Sequence, residues 1–197
     1  MPVTTPPQRP DIARDLIIRS TRAREYRRRL HRGQASDSEI SLGQHVDHAN
    51  GQVLRRLVSA HGWPGRRLVS EAGAKAAWQL ALYADSLQDF QRLALRLLAT
   101  AVEHGEATVQ QWAHLYDRCS INAGDPQLYG TQRRLGPAEV ETPPIRDRED
   151  LDARRASVGL PPFRPTQPAV RLRPGCGPET LPAGGAPTGR VLVGATV

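Results

Sequence analysis

A polar stretch two-thirds of the way along the chain carries side chains that could hold a small molecule. Tyr129, Thr131 and Gln132, within the letters YGTQ, offer hydrogen-bond donors and acceptors in close succession. Asp117 and Arg118 stand shortly before them at an expected helix end, and an arginine fork can bind a carboxylate or phosphate. These five residues are candidate binding residues for a polar or anionic molecule. A structural interpretation stays open, in which Asp117 pins the loop, Tyr129 packs and Gln132 bonds to the backbone.

A second set of residues could supply acid–base chemistry. Glu71 follows the turn HGWPG (61–65), which makes it a candidate general base beside His61. Asp85, just past a helix end, is a further candidate, although such a residue is more often a helix cap. Glu71 could instead form an ordinary ion pair with Lys75, one helical turn later. An acid–base enzyme needs at least two of the three candidates to converge within hydrogen-bond reach.

Metal and nucleophile chemistry has weak support. His45 and His48 share a helix face, but a third metal ligand would have to come from elsewhere in the chain. Cys119 and Cys176 lie in different regions and indicate neither a zinc site nor a disulfide framework. Cys119 and His114, five residues apart, fall on different helix faces, which argues against a cysteine–histidine nucleophile. We expect no metal and no cofactor, since glycine-rich nucleotide-binding motifs are also missing.

The net charge of +7 and the pI of about 10.4 raise the question of nucleic-acid binding. The positive excess lies at the ends, because residues 1–35 carry a net charge of +6 and residues 161–197 a net charge of +3. Residues 46–160 hold 14 basic and 14 acidic side chains. The run from Arg27 to Arg29 is interpreted by default as a solvated helix face. A nucleic-acid partner is therefore disfavoured.

Hydrophobic segments of the chain are short. The longest, LALRLLATAV at 93–102, is interrupted by Arg96 and could not cross a bilayer. The first residues lack the apolar segment of a signal peptide. The sequence thus predicts a soluble cytoplasmic protein with reduced cysteines and no membrane partner.

Hydrophobic periodicity predicts a mainly α, single-domain helical bundle of about five to six helices. The first three helices are expected at about 12–31, with Asp11 as the cap, at 43–60, after a polar break at 33–42, and at 70–84. The fourth begins at a Ser86–Asp89 capping box and ends at Gly105. The fifth begins at a Thr108–Gln111 capping box and ends before Gly124, and the last begins at an Asp147–Asp150 cap and ends at Gly159.

A small β element and two irregular ends complete the predicted organisation. A β-hairpin is expected near 127–143, with its turn at Gly136-Pro137. Residues 1–10 carry four prolines, and 14 of the 37 residues over 161–197 are proline or glycine, so both ends are predicted to be disordered. The domain would then occupy residues 11–160.

Eight short motifs follow one another in an order that resembles a known family. They are HGWPG (61–65), AAW (76–78), AD (84–85), FQ (90–91), GEA (105–107), LYDR (115–118), PQLYGTQ (126–132) and DARRASVGL (152–160). Together they are similar to an uncharacterised family of bacterial proteins, catalogued as a domain of unknown function, over roughly residues 11–162. The resemblance implies a bacterial, helix-rich, single-domain protein and implies no reaction.

Two departures from the family pattern bear on function. The family has Gln-His before Ala-Asp, where this chain has Leu82-Tyr83, and a glycine where this chain has Ser70. If that histidine does chemistry in relatives, this chain lacks it; if it fills a polar core position, Tyr83 can replace it. In the second helix the resemblance matches Asp47 and Asn50 rather than the histidines, which favours a buried polar link between helices.

Two functions are carried forward from the sequence. The first is a pocket beside YGTQ, walled by the helices at 70–84 and 108–119, that binds a small polar or anionic ligand; whether it is enzymatic stays open. The alternative is a non-catalytic interaction module whose polar motif is structural, with the arginine-rich first helix and the tail binding a protein partner.

Overall fold

Six α-helices build the fold in the computed structural model, which describes residues 6–32, 34–135, 140–164 and 190–192. The helices are α1 (Pro10–His31), α2 (Asp37–His61), α3 (Arg66–Leu82), α4 (Gln88–Glu103), α5 (Val109–Asn122) and α6 (Leu151–Ser157), the last preceded by a 3-10 turn at Arg148–Asp150. The predicted mainly α fold class is confirmed. No helix among these residues is long and apolar enough to span a membrane.

Helix α3 lies at the centre and packs against α1, α2, α4 and α5. Every residue from position 76 to 84 is buried, and Ala77, Ala81 and Leu82 are fully enclosed. Small alanine side chains let four neighbouring helices approach this one closely. At Gly73 an added Cβ would lie 3.2 Å from the Cβ of Ala13, so this glycine keeps α1 near α3.

Helix starts match the predicted caps only in part. The Thr108–Gln111 capping box of α5 is present as predicted. The predicted Ser86–Asp89 box is wrong: Leu87 and not Ser86 is the N-cap of α4, and the Ser86 hydroxyl bonds to His48. The predicted Asp147–Asp150 cap is also wrong, because neither side chain accepts a capping hydrogen bond from the 3-10 turn or from α6.

The first two helices begin earlier than predicted. Asp11 is not the cap of α1: Pro10 takes the first turn, where proline fits, and Asp11 pairs with Arg9. The predicted polar break at 33–42 is also wrong. Ser36 and Glu39 form a capping box there, and α2 starts six residues before the expected position.

Helix α3 has a break in its first turns. Ser70 has φ 68° and ψ 170°, a conformation that is almost restricted to glycine. The helix therefore starts at Arg66, before the predicted residue 70, and changes direction at Ser70.

Three short strands form an antiparallel sheet in the order β2-β1-β3, where β1 is Arg133–Leu135, β2 is Val140–Glu141 and β3 is Arg190–Leu192. Arg134 pairs with Glu141 in the β1–β2 register, so the predicted hairpin is present but shorter. Its Gly136-Pro137 turn lies outside the described residues. Gln127 forms a bridge with Ile145 instead of extending the hairpin.

The two ends show structure where they are described. The backbone amides of Gln8 and Arg9 donate to the carbonyls of Arg67 and Leu68, at 3.1 and 2.8 Å. Strand β3 falls within the stretch 161–197, for which no regular structure is expected from the sequence. The remaining parts of the two predicted disordered ends, 1–5, 165–189 and 193–197, lie outside the described residues.

Candidate functional site

Asp117 organises the YGTQ segment from inside the protein. Its side chain is fully buried on α5, and one carboxylate oxygen accepts from the amides of Leu128 and Tyr129 at 2.7 and 3.0 Å. The other oxygen accepts from the amide and the hydroxyl of Thr131 at 2.8 and 2.9 Å. Burial raises the pKa of Asp117, and these hydrogen bonds oppose that rise. Asp117 therefore holds the loop against α5.

Two glutamines complete this internal lock. Gln132 and Gln127 are fully buried; Gln127 accepts from the amide of Gln132 at 2.7 Å and donates to the carbonyl of Pro143 at 3.2 Å. Gln132 donates to the carbonyl of His114 at 3.1 Å and to the Thr131 hydroxyl at 2.9 Å. The amides of these glutamines thus satisfy backbone groups, as the structural interpretation of YGTQ expects.

The rest of YGTQ also packs inward. The Tyr129 ring is buried with its centroid 6.1 Å from the rings of Trp112 and Tyr116. Gly130 has φ 61°, and an added Cβ would lie 2.9 Å from Ile145. This glycine therefore lets a side chain of the protein itself approach the backbone closely.

Two arginines of α6 fasten the same loop from outside, and the sequence reasoning missed them. Arg154 donates to the carbonyl of Leu128 at 3.0 Å, and Arg155 to the carbonyl of Tyr129 at 2.6 Å. The motif DARRASVGL supplies both residues. Its position twenty residues after YGTQ gives no local signal of this contact.

Asp85 and Arg118 form an ion pair that differs from the Asp117 lock. Arg118, buried on α5, donates through Nε at 2.7 Å and through Nη2 to the two oxygens of Asp85. Asn122 and Gln91 donate further hydrogen bonds to the same carboxylate, at 2.8 and 3.4 Å. The Asp85 side chain nevertheless stays 42% exposed. A fixed carboxylate thus faces solvent at the end of α3.

A second ion pair lies beside the first. Arg27 of α1 is 2.5 Å from the carboxylate of Asp47 on α2, and the guanidinium carbon stands 3.1 Å from the centre of the Tyr83 ring. Arg27 is buried, so the interpretation of the arginine run as a solvated face is wrong at this position. We call Arg27, Asp47, Tyr83, Asp85 and Arg118 the charged cluster.

The two carboxylates of the charged cluster are perturbed in opposite directions. Burial raises the pKa of Asp47, although the charge of Arg27 opposes it. Burial also acts to raise the pKa of Asp85, but the charge and hydrogen bonds of Arg118, with help from Asn122 and Gln91, bring it below its usual value. Asp47 and Asp85 also repel each other. Such a separation of two neighbouring acids is the arrangement found in acid–base sites.

Asn50 adds an unpaired donor next to the cluster. It lies one helical turn after Asp47, is 4% exposed, and accepts from Arg19 at 3.2 Å. Its Nδ2 atom has no hydrogen-bond partner among the described residues. A buried amide donor without a partner is costly unless something else accepts its hydrogen bond.

The three acid–base candidates from the sequence do not meet. Asp85 belongs to the charged cluster, whereas His61 lines a separate cleft near the starts of α1 and α3. Glu71 is exposed on α3 and lines neither place.

The HGWPG and GEA motifs meet each other instead. Glu106 accepts from the amide of Arg67 at 2.9 Å and pairs with its side chain, so it caps α3 from a distance. An added Cβ at Gly65 would lie 2.6 Å from a Glu106 carboxylate oxygen. This contact explains both motifs as parts of one helix cap.

The remaining polar candidates have local roles. His45 bonds to the carbonyl of Ser41 and His48 to the hydroxyl of Ser86, at 2.8 and 2.9 Å. Within the described part of the chain, no three His, Cys, Asp or Glu side chains are grouped so as to hold a metal ion. Burial raises the pKa of Cys119 to about 11, so its sulfur is a thiol at neutral pH.

No curated protein sequence and no solved structure is significantly similar to this chain. A family profile does match, over residues 11–172, and it spans all six helices together with the charged cluster and the YGTQ lock. The chain belongs to the family of unknown function DUF6624.

Proposed function

We propose that the charged cluster binds a small polar molecule. The observation that carries the proposal is the Asp85 side chain, which is held by Arg118 and Asn122 and is still 42% exposed. Asp117 provides the contrast within the same fold, because its carboxylate is fully buried. A carboxylate that is fixed in place and accessible to water can accept hydrogen bonds from a ligand without reorganising.

The charges around Asp85 favour a polar ligand over an anionic one. Arg118 and Arg27 are each already paired with a carboxylate, so neither guanidinium is left to attract a second anion. A ligand with hydroxyl or amino donors would instead bond to Asp85. The proposed ligand is therefore polar and not anionic, and the proposed site is the Asp85–Arg118 pair in place of YGTQ.

The same geometry supports proton transfer. Asp85, whose pKa is lowered, would stay ionised and act as a base or a charge partner. Asp47, which pairs with Arg27, would be a second charge partner. Tyr83 packs against Arg27, at the position where the resemblance has histidine, and burial raises its pKa, so the phenol stays protonated.

A thermal-shift screen of the full chain tests the binding proposal. The panel contains polyols, sugars, amines and amino acids, and a ligand at 100 times its Kd stabilises the protein by about 2.7 kcal/mol. We expect the stabilisation to be lost in Asp85→Asn and in Asp47→Asn. The matched control is Asp89→Asn, which removes an exposed aspartate that also pairs with an arginine. A hit that survives both cluster variants would contradict the proposal.

The alternative, an interaction module, has its own supporting observation. The YGTQ side chains are used within the fold, and α1 with its C-terminal cap Arg32 exposes arginines to solvent. Arg28 and Arg29 pair with Glu25 and Glu39, and Arg14, Arg22, Arg24 and Arg32 are the other exposed ones. A row of positive charges suits an acidic protein surface. If the screen gives no hit, a pull-down with the full chain, compared with Arg22→Glu combined with Arg32→Glu, tests this function.

A further inference from the structure

A cleft of about 490 Å³ lies at the opposite end of α3 from the charged cluster, and no lining residue belongs to that cluster. Its apolar surface comes from Trp63, Leu68, Leu97 and Ala101. Small-molecule sites have volumes of roughly 300–1,000 Å³ and mainly apolar walls with a few placed polar groups. The size and lining of this cleft fit that description.

His61 and His104 line the cleft, and the hydrogen-bond partner of each ring determines which of its nitrogens carries the proton. Nε2 of His61 lies 3.4 Å from a guanidinium nitrogen of Arg9, which can only donate, so Nε2 accepts and Nδ1 carries the proton. Nδ1 of His104 lies 2.8 Å from the carbonyl oxygen of Thr100, which can only accept, so Nδ1 carries the proton and Nε2 has a lone pair. The rim thus offers one donor and one acceptor.

The formal charges on the rim are already neutralised. The guanidinium of Arg67 pairs with Glu106, whose other oxygen accepts from the amide of Arg67. Arg9 beside His61 pairs with Asp11. A charged ligand would therefore have to compete with an existing ion pair, whereas a neutral one would not.

We propose that this cleft binds a small neutral molecule, with an apolar ring or short chain and one amide or hydroxyl group. The apolar part lies against Trp63 and Leu97, and the polar group bonds to the free nitrogens of His61 and His104. The proposal is independent of ligand binding at the charged cluster, since the two places share no residue.

Benzamide is the probe, and the indole N–H signals of ¹⁵N-labelled full-length protein are the measurement. The chain has three tryptophans, and only Trp63 lines the cleft, whereas Trp78 donates to the carbonyl of Gln111 and Trp112 packs on Tyr116. We expect benzamide to move the Trp63 signal along a saturable curve and to leave the other two in place. A millimolar Kd is expected for a probe with so few atoms.

Two variants make the test specific. Thr100 is exposed and lines the cleft, so Thr100→Phe fills the space without disturbing the core, and it should weaken binding at least roughly tenfold. Thr21→Phe makes the same change at an exposed position of α1 and should leave binding unchanged. The wild-type protein should bind benzamide more tightly than ethylbenzene, which lacks the amide group. In His104→Leu the two Kd values should be equal. The proposal is overturned if the Trp63 signal does not move, if all three signals move together, or if Thr100→Phe binds as the wild type does.

Discussion

Replacing Asp117 by asparagine tests whether the YGTQ segment is held by the protein itself. The amide keeps the shape of the carboxylate, but its –NH₂ group faces donors where an oxygen accepted from the amide and hydroxyl of Thr131. Two hydrogen bonds to a charged acceptor, at about 1.5 kcal/mol each, give a loss of about 3 kcal/mol. A neutral amide is less costly to bury than a carboxylate by about 1 kcal/mol, so the expected net loss is about 2 kcal/mol.

Urea unfolding followed by tryptophan fluorescence measures this loss, because Trp112 packs on Tyr129 beside the lock. Asp125→Asn is the matched control: this aspartate is exposed three residues after the end of α5, and its change should cost less than about 0.5 kcal/mol. Thr131→Val removes the hydroxyl bond to Asp117 and the bond that this hydroxyl accepts from Gln132, and should cost about 2 kcal/mol. Equal stabilities of Asp117→Asn and Asp125→Asn would refute the reasoning.

Three further predictions concern stability and are checked by the same urea titration. Ser70→Gly relieves a backbone conformation that costs about 1–3 kcal/mol, but it also removes the hydrogen bond that the Ser70 hydroxyl accepts from the amide of Gly73. With the entropic cost of glycine, it should raise the free energy of unfolding by about 0.5 kcal/mol, whereas Ser59→Gly within α2 should lower it. Burial and the charge of Arg155 lower the pKa of His114 from 6.5 to about 4. Between these two pH values the unfolded chain therefore binds more protons than the folded chain. The free energy of unfolding should fall by about 3 kcal/mol as the pH drops from 6.5 to 4. His114→Phe should remove that slope, and a slope that persists would show that another group causes it. Gly65→Ala should cost about 1–2 kcal/mol, because its Cβ would displace the carboxylate that caps α3; an unchanged stability would mean that this cap contributes little.

Local signals in the sequence predict the helices well and their ends unevenly. The Thr108–Gln111 box and the apolar stripes depend only on residues within a few positions of one another, so the sequence predicts them. The Ser36–Glu39 box has the same local signature and could have been found, but the absence of an apolar stripe in the following turn concealed it. Ser70 has a conformation that no local rule predicts for a serine.

The charged cluster could be predicted only in parts. Asp85 and Arg118 were both candidates, but their pairing joins residues 33 positions apart and depends on how α3 packs against α5. Arg27 was missed because it stands in a run of arginines, although it shares a helix face with Leu16, Ser20 and Ala23, all of which are buried. Burial in tertiary structure, and not residue type, separates this arginine from its neighbours.

A crystal structure of the chain with the molecule that most stabilises it in the polar panel tests the central proposal most directly. The account predicts ligand density within hydrogen-bond distance of the exposed Asp85 carboxylate, with the Asp117 bonds to Leu128, Tyr129 and Thr131 unchanged. Density that instead replaces those bonds and contacts Gln132 would contradict it, and would return the site to the YGTQ segment.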